Sequence, residues 1–193
     1  MRCALEVPDG VRVCGACLLE PPPHDAARAA VDYVHPWDGL VARFKFQAAL
    51  DLADVLAGRL LAAVEDDPAP DWLLPVPLSK ERLRERGYNQ AWELGRRVAR
   101  ILGCRTDPHL LLRLHDRPPQ LALARERRAA NVRHAFAIEP ARRRELQRAD
   151  VAVVDDVMTT GATAAEVSRV LLDAGAARVR WWVVARTPRP ADA

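Results

Sequence analysis

The residues best equipped for chemistry form one run, VVDDVMTTGAT, residues 153–163. Two adjacent acids, Asp155 and Asp156, follow an apolar stretch, and Thr159, Thr160, Gly161, Ala162 and Thr163 then lead into a helical pattern. In an open parallel sheet, ligands sit beyond the carboxyl ends of the strands, which is where acids one step past "VAVV" fall. The next helix opens with N–H groups lacking internal partners and with the positive end of its dipole, so the turn can cradle a phosphate. Gly161 lets the backbone come close to that anion, and the threonine hydroxyls add short donors. An anion cradle flanked by paired acids calls for a ligand carrying both a phosphate and hydroxyls. Ribose 5-phosphate meets that description, its 2′ and 3′ hydroxyls donating to the carboxylates directly or being held through Mg²⁺. The plainer alternative is a strand–loop–helix in which Thr163 merely caps the helix, but a cap needs one such residue rather than four.

A second cluster lies at the start of the chain. Cys14 and Cys17 form C-x-x-C and Cys3 stands eleven residues earlier, a zinc-knuckle spacing that lacks one member. His24 is a possible substitute ligand, although it lies beyond a Pro-Pro-Pro breaker. The other reading is a lapsed knuckle with unligated thiols. Cys104, after an apolar helical pattern and Gly103, reads as a core thiol.

These groups need a scaffold to hold them. The first 25 residues are rich in Cys, Gly and Pro and lack helical periodicity, which marks a small separate module. "AARAAVDYV" reads as a short strand, residues from about Trp37 to Glu65 as one long helix, and "WLLPVPL" as a buried strand. "YNQAWELGRRVARILG" puts Ala91, Leu94, Val98, Ile101 and Leu102 at helical spacing and closes on Gly103. "VAVVDD" is a strand, "ATAAEVSRVLLDAGA" a helix and "VRWWVVAR" a last strand. Such alternation predicts a mostly parallel α/β sheet with helices on both faces.

Composition narrows the class. With 193 residues and half of them apolar, the chain can build a core, which excludes a disordered protein. The net charge of +3 is only mildly basic, and every basic residue except Lys45 and Lys80 is arginine. That balance does not select nucleic acid as a partner. An arginine-rich run from Arg113 to Arg148 leaves two readings, a nucleic-acid surface or a solvated helical flank. No apolar run is long enough to cross a bilayer and no signal segment opens the chain, so no membrane insertion and a cytoplasmic location are expected.

The run "VAVVDDVMTTGATA" resembles the phosphoribosyl-pyrophosphate (PRPP) motif of type I phosphoribosyltransferases. The resemblance extends over nearly the whole chain to the ComF family of competence-associated, phosphoribosyltransferase-like proteins. "LLPVPLSKERLRERGYNQAWELG" is similar to one family segment, through Pro75, Pro77, Arg82, Arg86, Gly87, Asn89 and Gln90. "LLRLHDRPPQLALARERRAANVRHAF" is similar to another, through Arg113, Gln120, Leu123, Arg128, Asn131 and Phe136, and "VARFKFQ" to the segment bearing the family's lysine, here Lys45.

The resemblance implies a type I phosphoribosyltransferase-like fold over residues 26–193 behind a truncated zinc-knuckle-like module at 1–25. It implies Mg²⁺–PRPP as ligand, held by Asp155, Asp156 and the loop Thr159–Thr163, with Arg82 and Arg86 as pyrophosphate contacts and with Asp155 or Asp156 steadying the positive charge that develops on the ribose. Guanidinium groups suit that task, since they meet paired phosphate oxygens with two parallel bonds. Asn89 and Gln90 are expected to fix the adjoining loop. For the family's second C-x-x-C, the first cysteine falls one place before Met1, so upstream codons are expected to supply a further zinc ligand. Two functions stay open: a phosphoribosyltransferase (a pentosyl glycosyltransferase) with an unknown acceptor, and a non-catalytic accessory of DNA uptake that binds single-stranded DNA and a helicase partner.

Overall fold

The computed structural model describes residues 2–5, 7, 10–11, 13–114 and 135–188. Four strands, β1 (Ala26–Asp32), β2 (Trp72–Pro75), β5 (Asp150–Met158) and β6 (Arg178–Arg186), form one parallel sheet in the order β1-β6-β5-β2. A two-stranded antiparallel hairpin, β3 (Leu111–Arg113) with β4 (Phe136–Ile138), stands apart from it. The central strand β5 reads "DVAVVDDVM", and its period-2 alternation sends Val151 and Val153 to one face and Ala152 and Val154 to the other. Both faces are buried, as the unbroken apolar run requires of a parallel strand.

The expected parallel sheet with helices on both faces is what the chain adopts. On one face, α2 (Trp37–Phe46), α3 (Leu52–Ala63) and α5 (Gln90–Leu102) bury Phe44, Leu56, Leu60, Leu94 and Val98 against Leu73, Val154 and Trp182. On the other, α6 (Ala162–Asp173) and the hairpin bury Val167, Leu171, Phe136 and Ile138 against Leu74, Val153 and Trp181. Of the expected stripe on α5, Ala91, Leu94 and Val98 are buried, whereas Ile101 is exposed in the last turn. A short helix, α1 (Gly15–Leu19), lies in the cysteine-bearing segment. Among the described residues no helix is long and apolar enough to cross a membrane.

Two elements differ from expectation. The long helix predicted over Trp37 to Glu65 is two helices, because Ala48 turns the chain at φ 50 between α2 and α3. The break leaves Lys45 and Phe46 at the end of α2. Strand β5 does not stop at the expected "VAVVDD" but runs on past both acids to Met158, since Val157 and Met158 stay in register with Ala185 and Arg186 of β6.

The amino edge of the sheet is closed by charge pairs. Arg28 meets Asp67 at 2.9 Å, Arg180 meets Asp150 at 3.0 Å, and Trp182 Nε1 donates to Asp67 at 3.3 Å. Helix α5 approaches β5 closely at Gly95, where an added Cβ would sit 2.9 Å from Val154 Cγ1, just before the acids. Gly95→Val should therefore destabilise the fold by about 1–3 kcal/mol through overpacking. Urea unfolding reads the change, and an unaltered midpoint would show that the helix can step back freely.

Candidate functional site

The carboxyl end of β5 and the turn into α6 enclose a small open pocket lined by Asp155, Met158, Thr159, Thr160, Gly161, Ala162 and Thr163, with Trp181 and Val183 of β6 as its floor. Gly161 sits at φ 81, a conformation that disfavours any residue with a side chain, and it is the N-cap of α6. The N-cap residue of this helix offers no side-chain cap, whereas Ser79 caps α4 (Lys80–Arg86) and Asn89 caps α5. Thr163 is the second residue of α6, so the plain capping role is not the one it plays. Thr160 Oγ1 accepts from the N–H of Ala162 at 3.3 Å, holding the turn in shape. A relay fixes the first turn from below: Trp181 Nε1 donates to Ser168 Oγ at 2.9 Å, which donates to the Ala164 carbonyl at 2.6 Å. Nothing in the spacing of Ser168 and Trp181 along the chain signals this link.

The two acids do different things. Asp155 is half-buried in the pocket wall, and its Oδ1 accepts from the N–H of Asp156 at 2.8 Å. Asp156 is buried, and its Oδ1 lies 2.9 Å from Lys45 Nζ at the end of α2. Its Oδ2 has no hydrogen-bond partner among the described residues. These are therefore strand residues within packed structure rather than loop acids of little weight in the core. The Asp155 carboxyl is pushed up to about 8, chiefly by burial and then by the neighbouring Asp156 charge, with Lys45 giving partial relief. Lys45 is the functional candidate that the motif left without a role. Its signal was chemical rarity, one of two lysines in a chain that otherwise uses arginine.

Beside this pair, the Arg86 guanidinium lies over the exposed Phe46 ring, 4.9 Å from its centroid. Tyr88 packs its ring 5.9 Å from Phe44, and burial raises its phenol while the Arg86 charge opposes the shift. Arg82 is exposed on α4, its N–H held by Ser79 Oγ at 3.2 Å, and neither Arg82 nor Arg86 lines the loop pocket. Asn89 fixes the adjoining turn as expected, with Oδ1 capping α5 and Nδ2 donating to the Val76 carbonyl at 3.0 Å. Arg113 lies over the Phe136 ring across the hairpin. Gln120, Leu123, Arg128 and Asn131, with most of the arginine-rich run, lie outside the described residues.

No family model matches the chain. It is 35% identical over 192 residues to DNA utilization protein YhgH of Salmonella typhi, covering 96% of this chain and 83% of that protein. It is 33% identical over 191 residues to Competence protein F of Haemophilus influenzae, with the same coverage of each. The chain belongs to the ComF family. A further relative, Competence protein ComFC of Bacillus subtilis, is 33% identical over 105 residues, 54% of this ComF chain and 40% of that protein. Among solved structures, the ComF chain is similar to glutamine PRPP amidotransferase from B. subtilis complexed with ADP and GMP, at 17% identity and a TM-score of 0.48. That likeness covers 74% of this chain but only 30% of the amidotransferase chain. HGPRT-ase from Leishmania tarentolae in complex with GMP is 15% identical, covering 72% of this chain and 66% of that one, with a TM-score of 0.35.

The three cysteines expected as ligands converge in this ComF chain. The sulfur atoms of Cys3, Cys14 and Cys17 all lie within 4.8 Å of one another, with Cys3 and Cys14 3.3 Å apart. Burial pushes the Cys17 thiol up to about 12, with further contributions from Cys14 and Cys3. Three gathered sulfurs suit a thiophilic tetrahedral ion such as Zn²⁺, and Cys3, Cys14 and Cys17 are the residues that would hold it. His24 is not in the cluster: it is buried, and its Nε2 is engaged by the Arg2 carbonyl at 2.7 Å. Cys104 is half-buried rather than fully enclosed, and burial raises its thiol.

The raised Asp155 carboxyl gives the fold a pH signature. Its ordinary value is 3.8 and its folded value about 8, so between them the folded chain holds a proton that the unfolded chain has released. That stabilisation is complete below the lower value and is lost as pH rises toward 8. Asp155→Asn should flatten the dependence and melt higher than the parent at pH 8. Thermal denaturation at pH 5, 6.5 and 8 tests this, and parallel profiles for the two proteins would refute it.

Proposed function

We propose that this ComF chain binds Mg²⁺–PRPP, with the 5-phosphate in the turn Thr159–Thr163 and the ribose against Asp155. The observation that carries the reading is that α6 opens from a glycine N-cap onto a pocket walled by the half-buried Asp155 carboxyl. Backbone N–H groups and threonine hydroxyls suit the phosphate, and the carboxylate suits vicinal hydroxyls. Mg²⁺, when bound, supplies neutralisation of pyrophosphate charge. Asp155, the acid that lines the pocket, would help to hold such a hard dication, whereas Asp156 leaves the strand on the opposite face and is paired with Lys45. Arg86, steadied on Phe46, and Arg82 one turn away are the cations within α4 for the pyrophosphate.

For group transfer, a nucleophilic acceptor attacks C1 of the ribose as pyrophosphate leaves. The chain's part is positioning and charge stabilisation, with Asp155 facing the positive charge that develops on the sugar. The accessory reading, DNA uptake with single-stranded DNA and a helicase as partners, draws support from the relatives' printed names, DNA utilization protein and Competence protein F. Salt-sensitive binding of single strands that survives Asp155→Asn would favour it.

Calorimetry separates the parts of the site. Asp155→Asn should weaken Mg²⁺–PRPP binding about ten- to a hundred-fold, the loss of one or two charge-assisted hydrogen bonds. Unchanged affinity would sink the ribose assignment. Asp155 is the clean probe, because Asp156→Asn also breaks the pair with Lys45. Arg86→Ala should lose affinity for PRPP and keep it for ribose 5-phosphate. Equal losses for the two ligands would make Arg86 a structural residue.

A further inference from the structure

Arg186 ends β6 in a buried position, and its guanidinium gathers carbonyls from separate parts of the chain. Nε donates to the Cys3 carbonyl at 2.8 Å. Nη1 donates to the carbonyls of Met158 at 2.9 Å, Thr187 at 3.1 Å, and Thr159. Met158 and Thr159 are the first residues of the turn that lines the pocket, and the Thr187 N–H adds a backbone bond to the Met158 carbonyl at 3.0 Å. Cys3 belongs to the sulfur cluster, and the residue before it is held by His24 Nε2 on the Arg2 carbonyl. One rigid, planar group thus grips the cysteine-bearing segment by its Nε edge and the anion-binding turn by an Nη nitrogen. A lysine, whose donors sit at a single point on a flexible stem, cannot span both.

We propose that Arg186 is a positioning residue that couples the cysteine module to the phosphate-binding turn, so that the state of the three thiols is felt at residues 158–163. Each peptide plane is rigid, so fixing the carbonyls of Met158 and Thr159 also aims the N–H groups that follow them. When Cys3 shifts, Arg186 must release its carbonyl or drag the turn along. An ordered cluster steadies the turn, and a disturbed cluster loosens it. Coupling of this kind is reciprocal at equilibrium: whatever orders the turn also disfavours the open cysteine cluster by the same free energy. The functional consequence rests on the phosphate-site reading above, but the coupling itself is measurable with no ligand present.

The experiment uses the full chain in a Cys104→Ser background, so that only the clustered thiols remain to react. Hydrogen exchange at Thr159–Thr163 is followed before and after alkylation with iodoacetamide, with β1 and α5 amides as internal controls for the fold. Alkylation should speed exchange in the turn roughly 5- to 100-fold and leave the controls unchanged. In Arg186→Lys, the turn should already exchange fast, alkylation should add nothing, and the thiols should react faster from the outset. An unmodified, slowly exchanging turn in the alkylated parent would overturn the proposal, and so would an Arg186→Lys turn that still responds to alkylation. If Arg186→Lys fails to fold, the parent protein alone decides the matter. Failure of inorganic pyrophosphate and ribose 5-phosphate to bind would remove the phosphate-site reading and leave the exchange result standing.

Discussion

Adjacent acids at the end of a central parallel strand cannot both present their charge to one ligand from the same side, because successive side chains leave a strand on opposite faces. In this chain β5 continues through Asp155 and Asp156, so the alternation established by Val151 to Val154 carries on into the site. Asp155 continues the face covered by α6 and opens into the pocket, and Asp156 continues the face covered by α2 and α5. A cation is then needed on the second face, and the break at Ala48 ends α2 where Lys45 can supply it. The split of one long helix into two is thus tied to the placement of a single charge.

The cost of the arrangement falls on Asp155. Lys45 is spent on Asp156, while the neighbouring negative charge and the burial of the strand end both oppose ionisation of Asp155. The amino edge of the same sheet is built on the opposite plan, with Arg28, Asp67, Asp150 and Arg180 pairing among themselves and Trp182 donating to one of them. Stability is concentrated where charges answer each other, and reactivity where they do not. A carboxylate kept short of partners by the fold gains more from a hydroxyl or a cation than one already satisfied, which is the usual exchange of stability for function at a binding site.

Much of the fold was legible because the signals were redundant. β5 and β6 are continuous apolar runs, α5 has both an Asn cap and a Gly103 stop, and the Thr-Thr-Gly-Ala-Thr turn carries more hydroxyls than a cap requires. The cysteine spacing likewise foretold a convergence that the structure contains. What was not legible depends on tertiary position. Periodicity alone does not show that Ala48 breaks a helix, since alanine favours one. The end of a strand is set by its neighbour's register, and here β6 carries β5 past the acids. The pairing of Lys45 with Asp156 joins residues far apart in the chain, and Arg186 reads as an ordinary strand-end arginine until its acceptors are seen.

A phosphate site made largely of backbone N–H groups takes its precision from whatever holds that backbone, rather than from the residues that would touch the ligand. Under the proposed reading the contacting side would be small or exposed residues, Thr159, Thr160 and Gly161, with little packing of their own. The holding side is buried: Trp181 and Ser168 fix the Ala164 carbonyl under the first turn of α6, and Arg186 fixes the carbonyls of Met158 and Thr159 ahead of it. Across the crevice Asn89 performs the same service, clamping the Val76 carbonyl beyond β2 while it caps α5, and Gly95 sets how closely that helix lies on β5. Two rims are therefore referenced to the same central strand. Because each rim is anchored through its carbonyls, its N–H groups are held in place beforehand, and a ligand of the proposed kind would find little ordering entropy left to lose.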